Sequence, residues 1–319
     1  MPDLVTLEEI RAAADRIAGH AVRTPLLRAP WCSSPESELW LKAELLQPIG
    51  AFKIRGAVNA IAAMEPELRS RGVLAHSSGN HAQAVAYAAA LFGVDAHIVI
   101  PDNAPPRKVD ATRALGATVE LVPLTQRFSR PLEIQAETGK PMVPPFDDRN
   151  VIAGQGTVGL EIIEDAPDVA AILVPVSGGG LIAGVAAAVA ALLPDARVIG
   201  VEPELAGDAA ESFRTGIRQS WQPEQTSRTI ADGLRTFSVG ELPWEHIQAQ
   251  VHDIITVTED EIRDATRRVV LQAHLAAEPS GAVAVAAHLH HSDRLPTGRR
   301  VAIVSGGNID AAVLRDILR

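Results

Sequence analysis

The chain has 319 residues, 47% of them hydrophobic, 21% charged and only 3% aromatic, with a formal net charge of −10. That length allows two modest domains or one large one with a core of Ala, Val, Leu and Ile. The acidic balance argues against a nucleic-acid or anionic-membrane surface. A single cysteine, Cys32, excludes an intrachain disulfide and a thiolate zinc cluster. No apolar run approaches the ~18 residues of a membrane span. The acidic N-terminus, Met1 to Ile10, has no basic region of a signal peptide. A cytoplasmic protein is expected, with no nucleic-acid or membrane partner. The 29 basic residues include only four lysines, Lys42, Lys53, Lys108 and Lys140. Few positions can therefore supply a deprotonatable amine, which arginine cannot.

In chain order, Thr6-x-x-Glu9 is a capping box opening an amphipathic stretch that ends near Gly19. Short β-branched runs then alternate with Ala-rich helical stretches. Strands are predicted at Glu38–Lys42, Ala96–Ile100, Thr118–Val122, Ala171–Val176, Arg197–Glu202 and Arg300–Val304. Helices are predicted near Ile54–Met64, His81–Phe92, Arg107–Leu115, Gln155–Asp165, Ile182–Leu193 and Asp260–His274, the last behind a second capping box, Thr258-x-x-Glu261. This alternation implies an α/β architecture of parallel sheets, and wholly apolar runs such as Ile172–Val176 imply helices on both faces. Pro101–Pro106 and Pro141–Pro145 are the clearest breaks, and Thr215–Arg228 reads as an exposed excursion.

Four segments can carry chemistry. In Gly50-Ala51-Phe52-Lys53-Ile54-Arg55-Gly56 a lysine beside an aromatic sits at a loop-to-helix junction: a surface lysine, or an amine that forms a Schiff base. His76-Ser77-Ser78-Gly79-Asn80-His81 is either a helix cap or a carboxylate-binding helix start. Ser177-Gly178-Gly179-Gly180-Leu181 follows a strand and opens a helix, a context suited to phosphate. Ser305-Gly306-Gly307-Asn308 places a hydroxyl at the carboxyl end of a strand. Gly178-x-Gly180-x-x-Ala183, with Glu202 ending the next strand, also fits a relaxed dinucleotide fingerprint, so a nicotinamide-dinucleotide enzyme is the rival reading. The His288, His290, His291 group lacks a metal-site pattern and reads as a polar helix end.

In order and spacing these segments, together with Arg23-Thr24-Pro25-Leu26, Val151–Thr157 and Glu278-Pro279-Ser280-Gly281-Ala282, resemble fold-type II pyridoxal-phosphate enzymes of the serine/threonine dehydratase and serine racemase family. The resemblance covers nearly the whole chain, and the nicotinamide reading explains none of the other segments. It implies a tryptophan-synthase-β-like α/β fold with large and small open parallel-sheet domains: residues 1–72 with 148–319, and an inserted 73–147, the cofactor between them. It implies an ammonia-lyase that converts L-serine, L-threonine or a related β-hydroxy amino acid to a 2-oxo acid and ammonia, with serine racemase as the alternative. Lys53 would hold pyridoxal 5′-phosphate and remove the substrate Cα proton, and Ser78 would act on the opposite face. Phe52 would pack near the ring and Asn80 would bond its hydroxyl. Gly178, Gly179, Gly180 and Leu181 would cradle the phosphate. Glu278 would line the cofactor pocket, and Ser305 would face the pyridine nitrogen. Ser77, Ser78, Gly79, Asn80 and His81 would bind the substrate carboxylate. Glu202, the carbonyl of Ala206 and Asp208 would hold Mg²⁺ or Ca²⁺, hard cations that favour oxygen ligands. The chain departs from the family pattern at Leu45 and Ala51, where asparagine and serine are usual, and around Arg127 and Arg130. Since the sequence ends soon after Asn308, no regulatory domain is expected.

Overall fold

The structure is a computed structural model and describes residues 3–319. Among the described residues, nine strands form two sheets. The larger contains β1 (Leu26–Arg28), β2 (Ser37–Lys42), β6 (Val169–Pro175), β7 (Arg197–Pro203), β8 (Asp253–Val257) and β9 (Gly298–Ile303), in the order β1-β2-β9-β6-β7-β8. All its pairings are parallel except that of edge strand β1 with β2. The smaller is a parallel three-stranded sheet of β3 (Val73–His76), β4 (Ala96–Pro101) and β5 (Thr118–Val122).

Helices cover both faces of the larger sheet, as its apolar strands require. Alternate residues of β6 divide between two cores. Ala171 and Leu173 pack with the helix Pro279–His290 on one side. Ile172 and Val174 pack with the helices Arg149–Asp165 and Gly180–Leu192 on the other. The smaller sheet shares a core with the helix Lys53–Ala62: Ile54, Val58 and Ile61 meet Val73, Ala75 and Ile98. That helix therefore lies where the two sheets meet.

The six expected strands are present, with ends displaced by at most two residues. β1, β3 and β8 are additional, each too short or too uniform to show alternation. The helix Arg149–Asp165 begins six residues before its expected start. Its glycines, which argue against a helix locally, are close-packing positions. A Cβ on Gly154 would lie 2.6 Å from the Arg55 carbonyl oxygen, and one on Gly156 would lie 3.0 Å from that of Gly184. Glycine here lets three helix backbones approach one another.

Candidate active site

Residues Gly50 to Phe52 lie against the turn that follows β9. Ala51 bridges Gly306, the Phe52 N–H donates to the Ser305 carbonyl at 3.0 Å, and the Gly307 N–H donates to the Gly50 carbonyl at 2.9 Å. Gly50 has φ of +70°, and a Cβ there would lie 2.8 Å from Asn308 Oδ1. This pairing fixes the start of the Lys53–Ala62 helix beside Ser305, at the carboxyl edge of the large sheet.

Lys53 stands apart from the other lysines. Lys42 Nζ is 2.6 Å from Glu161, Lys108 pairs with Asp232, and Lys140 pairs with Asp95. Lys53 Nζ donates to the Pro145 carbonyl at 2.6 Å, lies 5.1 Å from the Phe52 ring centroid, and pairs with no described carboxylate. Burial lowers its pKa to about 8, since an enclosed ammonium loses hydration with no anion to replace it.

The Ser77–His81 segment leaves β3 and opens the helix Asn80–Leu91. The Gly79 N–H donates to Ser77 Oγ at 3.2 Å, and a Cβ on Gly79 would meet nothing within 4 Å, so the loop faces open space. Asn80 is held at both ends of its amide. Its Nδ2 donates to Glu278 Oε1 at 2.7 Å, and its Oδ1 accepts from Asn308 Nδ2 at 2.8 Å. Burial and repulsion from Asp232 push Glu278 up to about 7, against the pull of Asn80 and Lys108. His81 is buried, with Nε2 2.8 Å from the Val143 carbonyl, which makes Nε2 the protonated nitrogen. Burial, then the charges of Lys53 and His76, lower its pKa to about 3. What the segment offers a carboxylate is therefore hydroxyls and the free amides of a helix start.

The third segment leaves β6 and opens the 13-residue helix Gly180–Leu192. Gly179 has φ of +88°, which side-chain-bearing residues rarely adopt. A Cβ on Gly178 would fall 2.1 Å from the Phe146 ring, and one on Gly180 would fall 3.0 Å from Phe146. The Leu181 side chain is in the core, leaving its backbone N–H for a ligand. Ser177 Oγ bonds Thr236 Oγ1. Ser305 is buried, its Oγ 3.5 Å from the Ser280 carbonyl. A bare glycine turn at a helix start, an enclosed amine and a held asparagine form a donor set that fits a phosphate-bearing aldehyde cofactor.

One strap joins these segments. Val143 takes the hydrogen bond of His81, Pro145 that of Lys53, Phe146 lies on Gly178 and Gly180, and Asp147 accepts from the N–H groups of Glu241 and Leu242. In the sequence this Pro-rich stretch reads only as a break. Its contribution is largely made by backbone carbonyls, which no residue pattern reveals. Asn308 was legible as a motif member, but not as the residue that orients Asn80.

The acids at the end of β7 form a separate cluster. Glu202 accepts from the N–H groups of Ala210 at 2.9 Å and Ala209 at 3.4 Å, at the head of the helix Asp208–Thr215. Asp208 is buried, and neither of its carboxylate oxygens has a hydrogen-bond partner. Burial pushes Asp208 up to about 7; the N–H groups of Asp208 and Val239 ease this without forming well-shaped hydrogen bonds. Burial and the Asp208 charge also push Glu202 up. Two buried acids, with both carboxylate oxygens of Asp208 unfilled, suit a divalent cation. No group of three or more His, Cys, Asp or Glu side chains assembles among the described residues, so a cation here needs backbone oxygens such as that of buried Ala206. Glu202 is committed to this cluster, which removes it as a ribose-binding acid. Of the three C-terminal histidines, His290 and His291 face Asp264 and Glu261 at the helix end. His288 differs from the expected polar end: it is buried, 3.0 Å from the Cys32 carbonyl.

Comparison with known proteins agrees with this geometry. The family model described as pyridoxal-phosphate dependent enzyme matches residues 17–307. The L-threonine ammonia-lyase of Thermotoga maritima is 44% identical over 99% of this chain and 78% of its own length. The serine racemase of Oryza sativa subsp. indica is 42% identical over 98% and 93%. The solved structure of maize serine racemase superposes with a TM-score of 0.93 at 40% identity, covering 98% of this chain and 96% of that one. Matched along nearly its whole length, and with its enclosed lysine and glycine cradle in place, the chain belongs to the pyridoxal-phosphate dependent enzymes and takes pyridoxal phosphate as its cofactor.

Proposed function

We propose that the protein is an ammonia-lyase that converts L-serine, L-threonine or a related β-hydroxy amino acid to a 2-oxo acid and ammonia. The observation that carries this reading is Lys53, the lysine without a carboxylate partner, whose pKa of about 8 leaves part of the amine neutral near physiological pH. When bound, pyridoxal phosphate supplies the electron sink that stabilises the pair left at Cα. Lys53 anchors the cofactor and takes the Cα proton on Nζ. The Cβ–O bond then breaks, the hydroxyl departs with a proton as water, and hydrolysis of the unsaturated amine yields a 2-oxo acid and ammonia. Ser77, Ser78, Gly79, Asn80 and His81 hold the substrate carboxylate. Gly178, Gly179, Gly180 and Leu181 hold the phosphate through backbone amides. Phe52 packs beside the ring, and Asn80, oriented by Glu278 and Asn308, faces its hydroxyl. Ser305 would offer the ring nitrogen a neutral hydroxyl and no acid to protonate it, which would favour loss of the β-hydroxyl.

The names of the relatives, and the presence of Ser78 in the segment between β3 and the helix Asn80–Leu91, support a second reading, serine racemisation. A proton donor on the face opposite Lys53 permits inversion at Cα. We further propose that residues 73–147 act as the smaller domain, that Glu202, Asp208 and the Ala206 carbonyl hold Mg²⁺ or Ca²⁺, and that the enzyme is a cytoplasmic homodimer. No helix among the described residues is long and apolar enough to cross a membrane.

The test is 2-oxo acid release by the purified holoenzyme from a panel of β-hydroxy amino acids, with the chirality of residual serine followed in parallel. Release from at least one of them is expected. Neither oxo acid nor inverted serine from any would overturn both readings.

A further inference from the structure

We infer that Arg127 selects the substrate: the cleft takes a β-hydroxy amino acid with a second carboxylate on Cβ, 3-hydroxyaspartate being the smallest, and the guanidinium binds that carboxylate. This rests on the elimination reading above and names its substrate class.

Topology places Arg127 at the cleft. Strands β3, β4 and β5 are parallel, so their carboxyl ends share one edge, where ligands of open α/β sheets collect. The Ser77–His81 segment leaves β3 at this edge. Arg127 leaves β5 at the same edge, after the short turn Leu124–Gln126. Two strand spacings, roughly 10 Å, separate the strand ends, and side chains close the gap. The Phe128 ring meets the ring of His76, the residue before Ser77, edge-on at 5.5 Å. It meets Phe237 at 5.9 Å on its other side. Phe237 adjoins Thr236, which bonds Ser177 of the glycine turn. Arg127 and Phe128 thus stand between the segment assigned to the substrate carboxylate and the one assigned to the cofactor phosphate.

The charge on Arg127 is uncommitted. Its guanidinium lies 4.5 Å over the Phe128 ring and forms no salt bridge or hydrogen bond with any described residue. Neighbouring Arg130 is held by Glu120, Glu133 and Glu137. Arg107 and Arg235 donate to the carbonyls of Ile309 and Thr229. Arg127 is half-buried, and burial weakens its hold on its proton without an acid to offset it. Burial and then the charge of Arg127 lower the His76 pKa, which disfavours a rival cation there. The methyl or hydrogen on Cβ of threonine or serine gains nothing from such a group. A carboxylate matches its planar fork and supplies the missing counter-charge. Elimination from this substrate releases one water, hydrolysis of the unsaturated amine takes one up again and releases ammonia with a dicarboxylic 2-oxo acid, and the second carboxylate is left untouched.

The experiment compares kcat/KM for 3-hydroxyaspartate with that for L-serine and L-threonine in the wild-type holoenzyme, Arg127→Met and Arg127→Lys. The wild type should prefer the dicarboxylic substrate. Arg127→Met should shift the preference roughly 10²-fold toward serine, the scale of losing a charge-assisted pair, with Arg127→Lys in between. Thermal melts supply a readout independent of turnover, and their baselines report whether each variant folds. Succinate should raise the Tm of the wild type and not that of Arg127→Met. Preference for serine or threonine in the wild type, or succinate protection retained in Arg127→Met, would overturn the assignment. If no hydroxy amino acid is converted at all, the elimination reading falls, and the succinate melts alone decide whether Arg127 is a carboxylate site.

Discussion

Lys53 and Arg55 are two cations at the head of the same helix, and the protein treats them in opposite ways. Arg55 is buried between two acids. Its Nε and Nη2 donate to Glu44 at 2.8 and 2.7 Å, and its Nη1 donates to Glu161 at 2.6 Å. Glu161 also takes Lys42, and Thr24 Oγ1 donates to Glu44 at 2.5 Å. Burial alone would push Glu44 up, but the charge and hydrogen bonds of Arg55 more than offset it, and the carboxyl ends below its usual range. Two cations and two anions close on each other in this network, which anchors the helix. Lys53, enclosed at the start of the same helix, receives one carbonyl and no anion. Charge is matched where the backbone must stay fixed, and left unmatched where a proton must move.

The contrast is broken most severely at Lys53. Lys53→Ala removes both anchor and base, and should abolish 2-oxo acid formation; general-base loss alone is worth ~10²–10⁴-fold. Its fold should survive, with an unchanged far-ultraviolet circular dichroism spectrum. Arg55→Met should do the reverse. Buried Glu44 would lose its cation and half-buried Glu161 would keep only Lys42, at a cost of about 3–5 kcal/mol, read as a lower midpoint in urea.

A milder effect separates the two proton-transfer groups. Ser78→Ala should suppress conversion of L- to D-serine more than elimination from an L-substrate, followed by oxo acid and chirality assays in one vessel. Equal losses would show that Ser78 is structural or shared.

Glu278 sharpens the comparison through pH. Its pKa rises from 4.5 to about 7 in the folded protein. The folded state therefore binds its proton more tightly than the unfolded chain does. Its contribution favours folding most below pH 4.5 and is lost as pH rises through about 7. Glu278→Gln keeps an acceptor for Asn80 and should flatten that part of the Tm–pH curve.

Smallest is the effect at Glu202 and Asp208. Chelation should lower Tm, and Mg²⁺ or Ca²⁺ should restore it, because an ion that binds only the folded state stabilises it by mass action. Indifference to chelator would remove the cation from this site.

The larger elements were legible because strand and helix periods differ and because caps such as Thr258-x-x-Glu261 are local chemistry. The helix Pro279–His290 was not. It is buried nearly all round, so it has no polar stripe to set a period. Among site residues, Lys53, Asn80, Gly178–Gly180 and Ser305 were visible as side-chain or glycine motifs. The carbonyls of Val143 and Pro145 were not, since any residue can supply a carbonyl. Arg127 stood out only as a departure. Its unpaired state depends on where Glu120 sends its charge, to Arg130 and His97, which is a tertiary fact.

The most direct test of the central claim is borohydride treatment of the purified yellow protein, followed by peptide mapping. The account predicts a reduced pyridoxyl group on the peptide that contains Lys53, with bleaching of the visible absorbance and loss of activity in step. A label on Lys42, Lys108 or Lys140 instead, or a colourless protein that takes up no cofactor, would contradict it.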